Sequence, residues 1–231
     1  VIEKATAYLR SCSQPDGGIY VVVPGRRGGA LGTYNTAICM TALHYADKSK
    51  SIRTIQKARE YVASTQLVGD DSTGTDGGFG YERNAPGGYA DLNNSAWAIS
   101  AMRVTQDVEE SRPAGEKKVD INWDAALKFV ERMQVKPGEE GIAETDVGGF
   151  LYKRESGKPP APPQGGVKGK GKIGKRPPLR SYGSITYSGL EAMIFAQISR
   201  DDPRVVSAID YARRHWTLDE NPGMGQQGLY Y

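Results

Sequence analysis

Apolar positions recur at helical spacing in several stretches of the chain, and each stretch is followed by a glycine-rich turn. In one stretch, Ile55, Ala58 and Val62 share one helical face, and the charged Arg59 falls elsewhere. A paired glycine then ends each helix, because glycine permits the positive φ that a chain reversal needs. The glycine pairs occupy positions 17–18, 77–78 and 148–149. The pattern predicts helices joined by tight turns.

These stretches form an internal repeat. Each has a helix-like run, usually a Gln, and a glycine turn that ends in an aromatic residue. The segments span residues 5–20, 58–81 and 126–152, with a degenerate fourth at 208–231. In the fourth, Asp202 suits the N-cap and Pro203 the first helical position, so we expect Val206, Ile209 and Trp216 to face inward. Self-similarity of this kind predicts a repeat architecture.

A second kind of helix follows each of the first three turns. These runs are rich in small residues and carry almost no charge, which is typical of a helix buried on all sides. They span residues 33–46, 91–105 and 181–198, and they align on Thr36, Ser95 and Thr186. Each repeat is therefore predicted to pair an amphipathic outer helix with a buried inner helix. Stacked hairpins of this type build an α-solenoid or a closed α/α ring.

The predicted fold class is all-α, as an α/α toroid in partial form. At roughly 60–70 residues per hairpin, the chain holds about three and a half hairpins. We expect residues 1–231 to form a single repeat domain. Neither end shows the polar cap of a terminal repeat, so we also expect the domain to be a fragment of a longer ring.

Charge changes this picture in one segment only. Residues 153–182 contain nine basic residues and one acidic residue, so the segment carries +8 and the rest of the chain −5. Lys, Gly and Pro dominate it, and we predict a disordered basic insertion over residues 153–181. It is either a solvated loop or an arm that contacts a polyanion. No aromatic residue lies between the lysines to stack on bases.

The combination of helix, Gln, glycine–aromatic turn and buried inner helix resembles the repeat of the squalene-cyclase and prenyltransferase family. The resemblance covers nearly the whole chain apart from the basic insertion. In that family the Gln and the turn aromatic connect neighbouring hairpins. The resemblance implies this structural role for Gln14, Tyr20, Gln66, Phe79, Gln134 and Phe150.

The chain lacks the two catalytic motifs that are typical of this family. The Asp-x-Asp-Asp stretch, with which the cyclases protonate an alkene, does not occur in the chain. The zinc-binding stretch of the prenyltransferases resembles residues 91–97, in which Asp91, Ser95 and Trp97 match. Asn93 replaces the Cys ligand, and an amide is a poor zinc ligand. We therefore expect no metal and no cofactor, and Asp91 is alternatively a helix N-cap.

The ends of the inner helices are predicted to line a concave surface with aromatic and polar side chains. The candidate ligand-binding residues are Tyr34, Tyr89, Asp91, Asn93, Trp97, Tyr182 and Tyr187. They either bind a ligand or simply pack the inner ring. By resemblance, the ligand class is an isoprenoid or another apolar chain.

Two other functions stay open. One is a terpenoid cyclase or prenyltransferase-like enzyme whose catalytic acid lies outside this span. The other is a scaffold that binds a protein partner or, through the 153–181 segment, a polyanion. No stretch is apolar enough to span a membrane. The sequence leaves the compartment open.

Overall fold

The computed structural model describes residues 1–22, 31–69, 74–83, 89–154 and 180–224. Within these ranges the chain is all-helical, without a β-strand, as predicted. The helices are α1 Ile2–Ser11, α2 Gly32–Ala63, α3 Leu92–Val104, α4 Gln106–Glu110, α5 Trp123–Met133, α6 Gly183–Phe195 and α7 Pro203–Arg214. In the described part of the chain, no helix has the length and hydropathy to cross a membrane.

One residue divides α2 into two helices. Asp47 has φ −159° and ψ 49°, which is not helical, and the chain resumes its helix at once on the other side. The carboxylate of Asp47 accepts a hydrogen bond from Arg10 of α1 at 2.6 Å. The first half of α2 corresponds to a predicted inner helix and the second half to a predicted outer helix.

The middle of the molecule is α3. It packs against α2 on one side and α6 on the other, and it also contacts α4 and α5. The end helices have fewer neighbours, since α1 packs on α2 and α7 packs on α6. The low charge predicted for α3 matches its burial, because Ile99 and Met102 are both fully buried.

The three glycine turns share one hydrogen-bonding arrangement. The backbone N–H of Ile19 donates to Thr36 Oγ1 at 2.9 Å, that of Phe79 to Ser95 Oγ at 2.9 Å, and that of Phe150 to Thr186 Oγ1 at 3.0 Å. Thr36, Ser95 and Thr186, on which the inner helices were aligned, thus accept equivalent hydrogen bonds. In the first turn, Ile19 makes the hydrogen bond that Phe79 makes in the second. The turn position predicted for Tyr20 is therefore occupied by Ile19.

The first glycine of each turn lies against the next outer helix. Gly77 has φ +84°, and a Cβ at this position would lie 1.9 Å from the carbonyl oxygen of Ala125 in α5. Gly148 has φ +88° and meets the carbonyl of Ser207 in α7 in the same way, at 2.2 Å. No other residue fits, because the backbones are in direct contact.

Two of the three predicted glutamines connect a turn to the following hairpin. Gln134 donates to the carbonyl of Gly148 at 3.1 Å and to that of Arg204 in α7 at 2.8 Å. Gln66 likewise donates to Gly77 and exchanges two hydrogen bonds with the backbone of Asn122, the N-cap of α5. Among the described residues, the Gln14 side chain donates to carbonyls around its own turn, at residues 12 and 20, and to none in the following hairpin.

Arg59 lies off the predicted apolar face of its helix and is nevertheless buried. Its side chain is only 1% exposed and forms an ion pair with Glu109 at 3.2 Å. Its guanidinium also donates to the carbonyl of Met102 and to Thr105. A buried arginine is tolerated because a carboxylate and several acceptors replace its lost water. Arg59 thereby joins the second half of α2 to the end of α3.

The start of α7 is confirmed, and its inward face was predicted correctly only for Ile209, which is partly buried against the core. Asp202 accepts a hydrogen bond from the N–H of Arg204 at 2.9 Å, and Pro203 begins the helix. Val205, Ala208 and Tyr211 are buried. Val206 and Trp216, which were predicted to face inward, are exposed.

The predicted disordered insertion lies mostly outside the described residues, which omit 155–179. Its ends are described and are ordered. Arg154 pairs with Glu139 and donates to the carbonyl of Gln134. Ser181 is buried and donates to the carboxylate of Asp146 at 3.1 Å.

Candidate ligand-binding site

A cavity of about 930 Å³ opens where the inner helices begin. Its wall comes from the first half of α2, from α3 and α6, and from the segments that precede α6 and follow α7. The described lining residues are Tyr34, Asn93, Ala96, Trp97, Ser100, Tyr152, Tyr182, Ser184, Ile185, Tyr187, Ser188, Glu191, Asn221 and Met224. This volume is at the large end of the range for small-molecule sites.

Equivalent positions of successive inner helices form the wall. When the helices are aligned on Thr36, Ser95 and Thr186, the cavity residues Tyr34, Asn93 and Ser184 occupy one position. Further along, Trp97 corresponds to Ser188 and Ser100 to Glu191. These residues recur at intervals of three or four, so each helix presents a single face to the cavity.

Five of the seven predicted site residues lie in this wall. They are Tyr34, Asn93, Trp97, Tyr182 and Tyr187. The other two, Tyr89 and Asp91, are not among the described lining residues. The ring of Tyr89 stacks on Tyr81 with centroids 6.1 Å apart, and the ammonium of Lys153 lies 4.2 Å from its centroid on the ring face.

Asp91 is fully buried and caps α3. Its carboxylate accepts hydrogen bonds from the backbone N–H of Asn94 at 2.8 Å and from the Asn94 side-chain amide at 2.7 Å. The hydroxyls of Tyr89 and Tyr152 also act on the carboxylate and favour its charged form. Burial nevertheless dominates and raises the pKa of Asp91 above its ordinary value. The N-cap alternative for Asp91 is the one that the structure shows.

Tyrosine hydroxyls join the buried Asp91 to the cavity. Tyr152 lines the cavity, and its hydroxyl lies 2.8 Å from that of Tyr81. Burial, with the nearby charge of Asp91 as the second cause, raises the pKa values of Tyr152 and Tyr182 above the ordinary value. Both side chains therefore remain neutral hydrogen-bonding groups at physiological pH.

Aromatic rings and uncharged polar groups dominate the wall. Tyr34 and Trp97 meet edge to face, with centroids 6.3 Å apart and ring planes at 82°. The carboxylate of Glu191 also lines the cavity, and burial raises its pKa. No basic residue occurs among the described lining residues. Such a surface suits an apolar molecule that carries a few polar groups.

The sequence reasoning missed the polar residues of the α6 face. Ser184, Ser188 and Glu191 follow from Asn93, Trp97 and Ser100 once the helices are aligned, so the alignment contained the signal. Asn221 carried no such signal, because it follows α7 by several residues. It is fully buried and accepts a hydrogen bond from the N–H of Ser184 at 2.9 Å, which caps α6 from a distant segment.

Comparison with models of known protein families gave no match, and a search of curated proteins found none that matches significantly. In the described ranges, no three His, Cys, Asp or Glu side chains are grouped to hold a metal ion. The relationship to the squalene-cyclase and prenyltransferase family is accordingly a proposal.

Proposed function

We propose that this chain is a squalene-cyclase/prenyltransferase-like repeat domain that binds an apolar, isoprenoid-like ligand. In this proposal the helical hairpins form part of an α/α toroid, and the ligand occupies the cavity at the start of the inner helices. The observation that carries the proposal is the cavity itself, about 930 Å³ in volume and walled by Tyr34, Trp97, Tyr182 and Tyr187.

The three equivalent turns support the repeat. Their Ser or Thr hydrogen bonds are the same, and their first glycines contact the following outer helix in the same manner. A second set of bonds joins successive hairpins. The N–H of Thr33 donates to the carbonyl of Tyr81 at 2.9 Å, and that of Leu92 donates to Tyr152 at 2.9 Å. Hairpins related in this way continue in one direction, as a curved stack requires.

The position of Asp91 rules this residue out as the acid of a cyclase-like proton transfer. The cyclase reaction needs an acid that reaches the ligand. Both carboxylate oxygens of Asp91 accept hydrogen bonds from Asn94, and Asp91 does not line the cavity. The polyanion alternative rests on a segment that is mostly outside the described residues. The cavity is therefore the feature that a functional test should address.

The test is titration of the protein with farnesol, a short isoprenoid alcohol, by isothermal calorimetry. Ser188→Phe places a large ring in the cavity wall, and Ile194→Phe adds a ring to the same helix at an exposed position. We expect one molecule to bind wild type and Ile194→Phe with similar affinity. Ser188→Phe should bind about tenfold more weakly or worse, since its ring occupies the ligand's space.

Circular dichroism and thermal unfolding of both variants should show that each one folds. If Ser188→Phe folds and binds farnesol as tightly as Ile194→Phe does, the ligand does not occupy this cavity. If wild type binds no farnesol at all, the proposal of an isoprenoid-like ligand is wrong.

A further inference from the structure

The cavity has an unbalanced charge. Glu191 is the only carboxylate in its described wall, and that wall holds no lysine, arginine or histidine. The carboxylate makes no hydrogen bond or ion pair with another described residue, and burial is the single cause of its pKa shift. The Glu191 side chain is accessible to solvent and needs no partner within the protein. As the charged group of the described wall, it can pair with a cation that enters the cavity.

Aromatic rings lie on the same surface as this carboxylate. Tyr187 precedes Glu191 by four residues, so both project from one face of α6 into the cavity. Across the cavity wall, Tyr34 and Trp97 present rings at 82° to each other, and Trp97 is 36% exposed. Ring faces attract organic cations, and tryptophan does so most strongly.

The same features disfavour an anion. A diphosphate or a fatty-acid carboxylate would face the negative charge of Glu191 with no described cation in the wall to neutralise it. Like charges repel each other, and contact with water weakens this repulsion at Glu191 without removing it. Nearby, the buried carboxyl of Asp91 adds no positive charge. The wall therefore favours ligands in the order cation, neutral molecule, anion.

We infer that the ligand of this cavity is an organic cation, an ammonium group on an apolar chain or ring system. The ammonium lies at Glu191 beside the ring of Tyr187, and the apolar part extends along the rings of Trp97 and Tyr34. This inference rests on the proposed function, because it assigns a charge to the ligand of the same cavity.

The experiment compares three probes that share a dodecyl chain: dodecyltrimethylammonium, dodecanol and dodecanoate. Each is titrated into the full chain below its aggregation concentration, with isothermal calorimetry as the measurement. We expect the ammonium compound to bind about tenfold more tightly than the alcohol, and dodecanoate to bind most weakly. Ser188→Phe should weaken the binding of the ammonium compound and the alcohol.

Two variants test the role of Glu191. Glu191→Gln keeps the shape of the side chain and removes its charge, and Asp201→Asn removes a charge from an exposed position outside the cavity. We expect Glu191→Gln to lower the affinity for the ammonium compound about tenfold and to leave dodecanol binding unchanged. Asp201→Asn should change neither affinity.

The outcomes separate the two proposals. If ammonium and alcohol bind equally well, or if both charge variants weaken ammonium binding to the same extent, the inference of a cationic ligand is overturned. Binding of the alcohol that Ser188→Phe blocks would still support the proposed function in that case. If none of the three probes binds, both proposals fail.

Discussion

At the scale of single residues, Asp91 carries two opposing effects. As an N-cap it satisfies the first turn of α3, and such a cap contributes about 1 kcal/mol. As a fully buried carboxyl it resists ionisation, so its pKa in the folded state is raised. The cap needs an acceptor oxygen but no charge. The two effects can therefore be separated by replacing the carboxyl with an amide.

We predict that Asp91→Asn gains stability relative to wild type as the pH rises. The unfolded-state pKa of Asp91 is about 3.9. Above that value the unfolded chain gives up a proton that the folded protein retains, so wild type loses stability until the pH passes the raised folded pKa. The variant retains a cap oxygen and has no proton to lose. Urea unfolding of wild type and the variants between pH 2.5 and pH 8 measures the difference.

The control is Asp107→Asn. Slight burial works against ionisation of Asp107, but hydrogen bonds from Lys48 and His44 outweigh it and lower the pKa. Wild type therefore loses the contribution of Asp107 as the pH falls through the folded pKa, and the variant never has it. The two variants should diverge from wild type in opposite directions with pH. Parallel stability curves for Asp91→Asn and wild type would show that Asp91 ionises normally in the fold.

At the scale of elements, the glycine turns determine how hairpins meet. Gly77 combines a left-handed backbone with direct contact to the backbone of α5, and Gly148 repeats both features against α7. A left-handed conformation alone is costly for a residue with a Cβ. The contact adds a second cost, which the backbone of a packed helix cannot easily relieve.

We predict that Gly77→Ala destabilises the protein by more than about 3 kcal/mol, since backbone strain and overpacking add. Gly138 provides a matched control because its φ is +74° and no atom lies within 4 Å of its added Cβ. Gly138→Ala should cost only about 1–2 kcal/mol, the strain alone. Urea unfolding of the two variants gives both values. Equal costs would mean that the contact between the turn and α5 relaxes freely.

The elements themselves could be predicted from the sequence, because hydrophobic spacing and glycine turns report directly on local structure. The alignment on Thr36, Ser95 and Thr186 was accurate enough to identify three equivalent hydrogen bonds. Spacing did not predict the burial of Arg59, because its partner Glu109 lies 50 residues away in sequence. Val206 was wrongly assigned to the inward face of α7, because it is as apolar as the buried Val205.

The candidate site was predictable where aromatic residues begin an inner helix, as with Tyr34 and Trp97. Ser188 and Glu191 occupy the positions of Trp97 and Ser100 in the aligned inner helices, so their face was predictable, but a polar side chain on a buried helix does not by itself indicate a site. Asn221 reaches the site through tertiary structure alone. Asp91 was expected to line the concave surface, but the requirement for a cap turns it toward the backbone of α3 instead.

At the scale of the whole molecule, α3 is the element on which the others depend. It contacts α2, α4, α5 and α6, whereas α1 packs on α2 and α7 on α6. Opening α3 exposes most of the core at once, but α1 or α7 can open with little loss elsewhere. Local stability should therefore fall from the middle of the chain towards both ends.

We predict that the backbone amides of α3 exchange hydrogen more slowly than those of any other described helix. Exchange from α3 requires global unfolding, and exchange from α1 or α7 requires only local opening. Hydrogen exchange followed by mass spectrometry gives the order of protection. The prediction is wrong if α1 or α7 exchanges as slowly as α3. Stability would then be distributed evenly along the chain.

The contacts of the glycine turns also imply where segments of this protein can be exchanged. Each turn contacts the inner helix that follows it and the outer helix after that. The unit held together by these contacts therefore begins later in the sequence than the predicted hairpin, which starts with an outer helix. A module begins at a turn and ends with the next outer helix, near Ser64 or Met133. Recombination at these points would transfer a turn together with the helices that complete it, and crossovers within the hairpin would divide it from them.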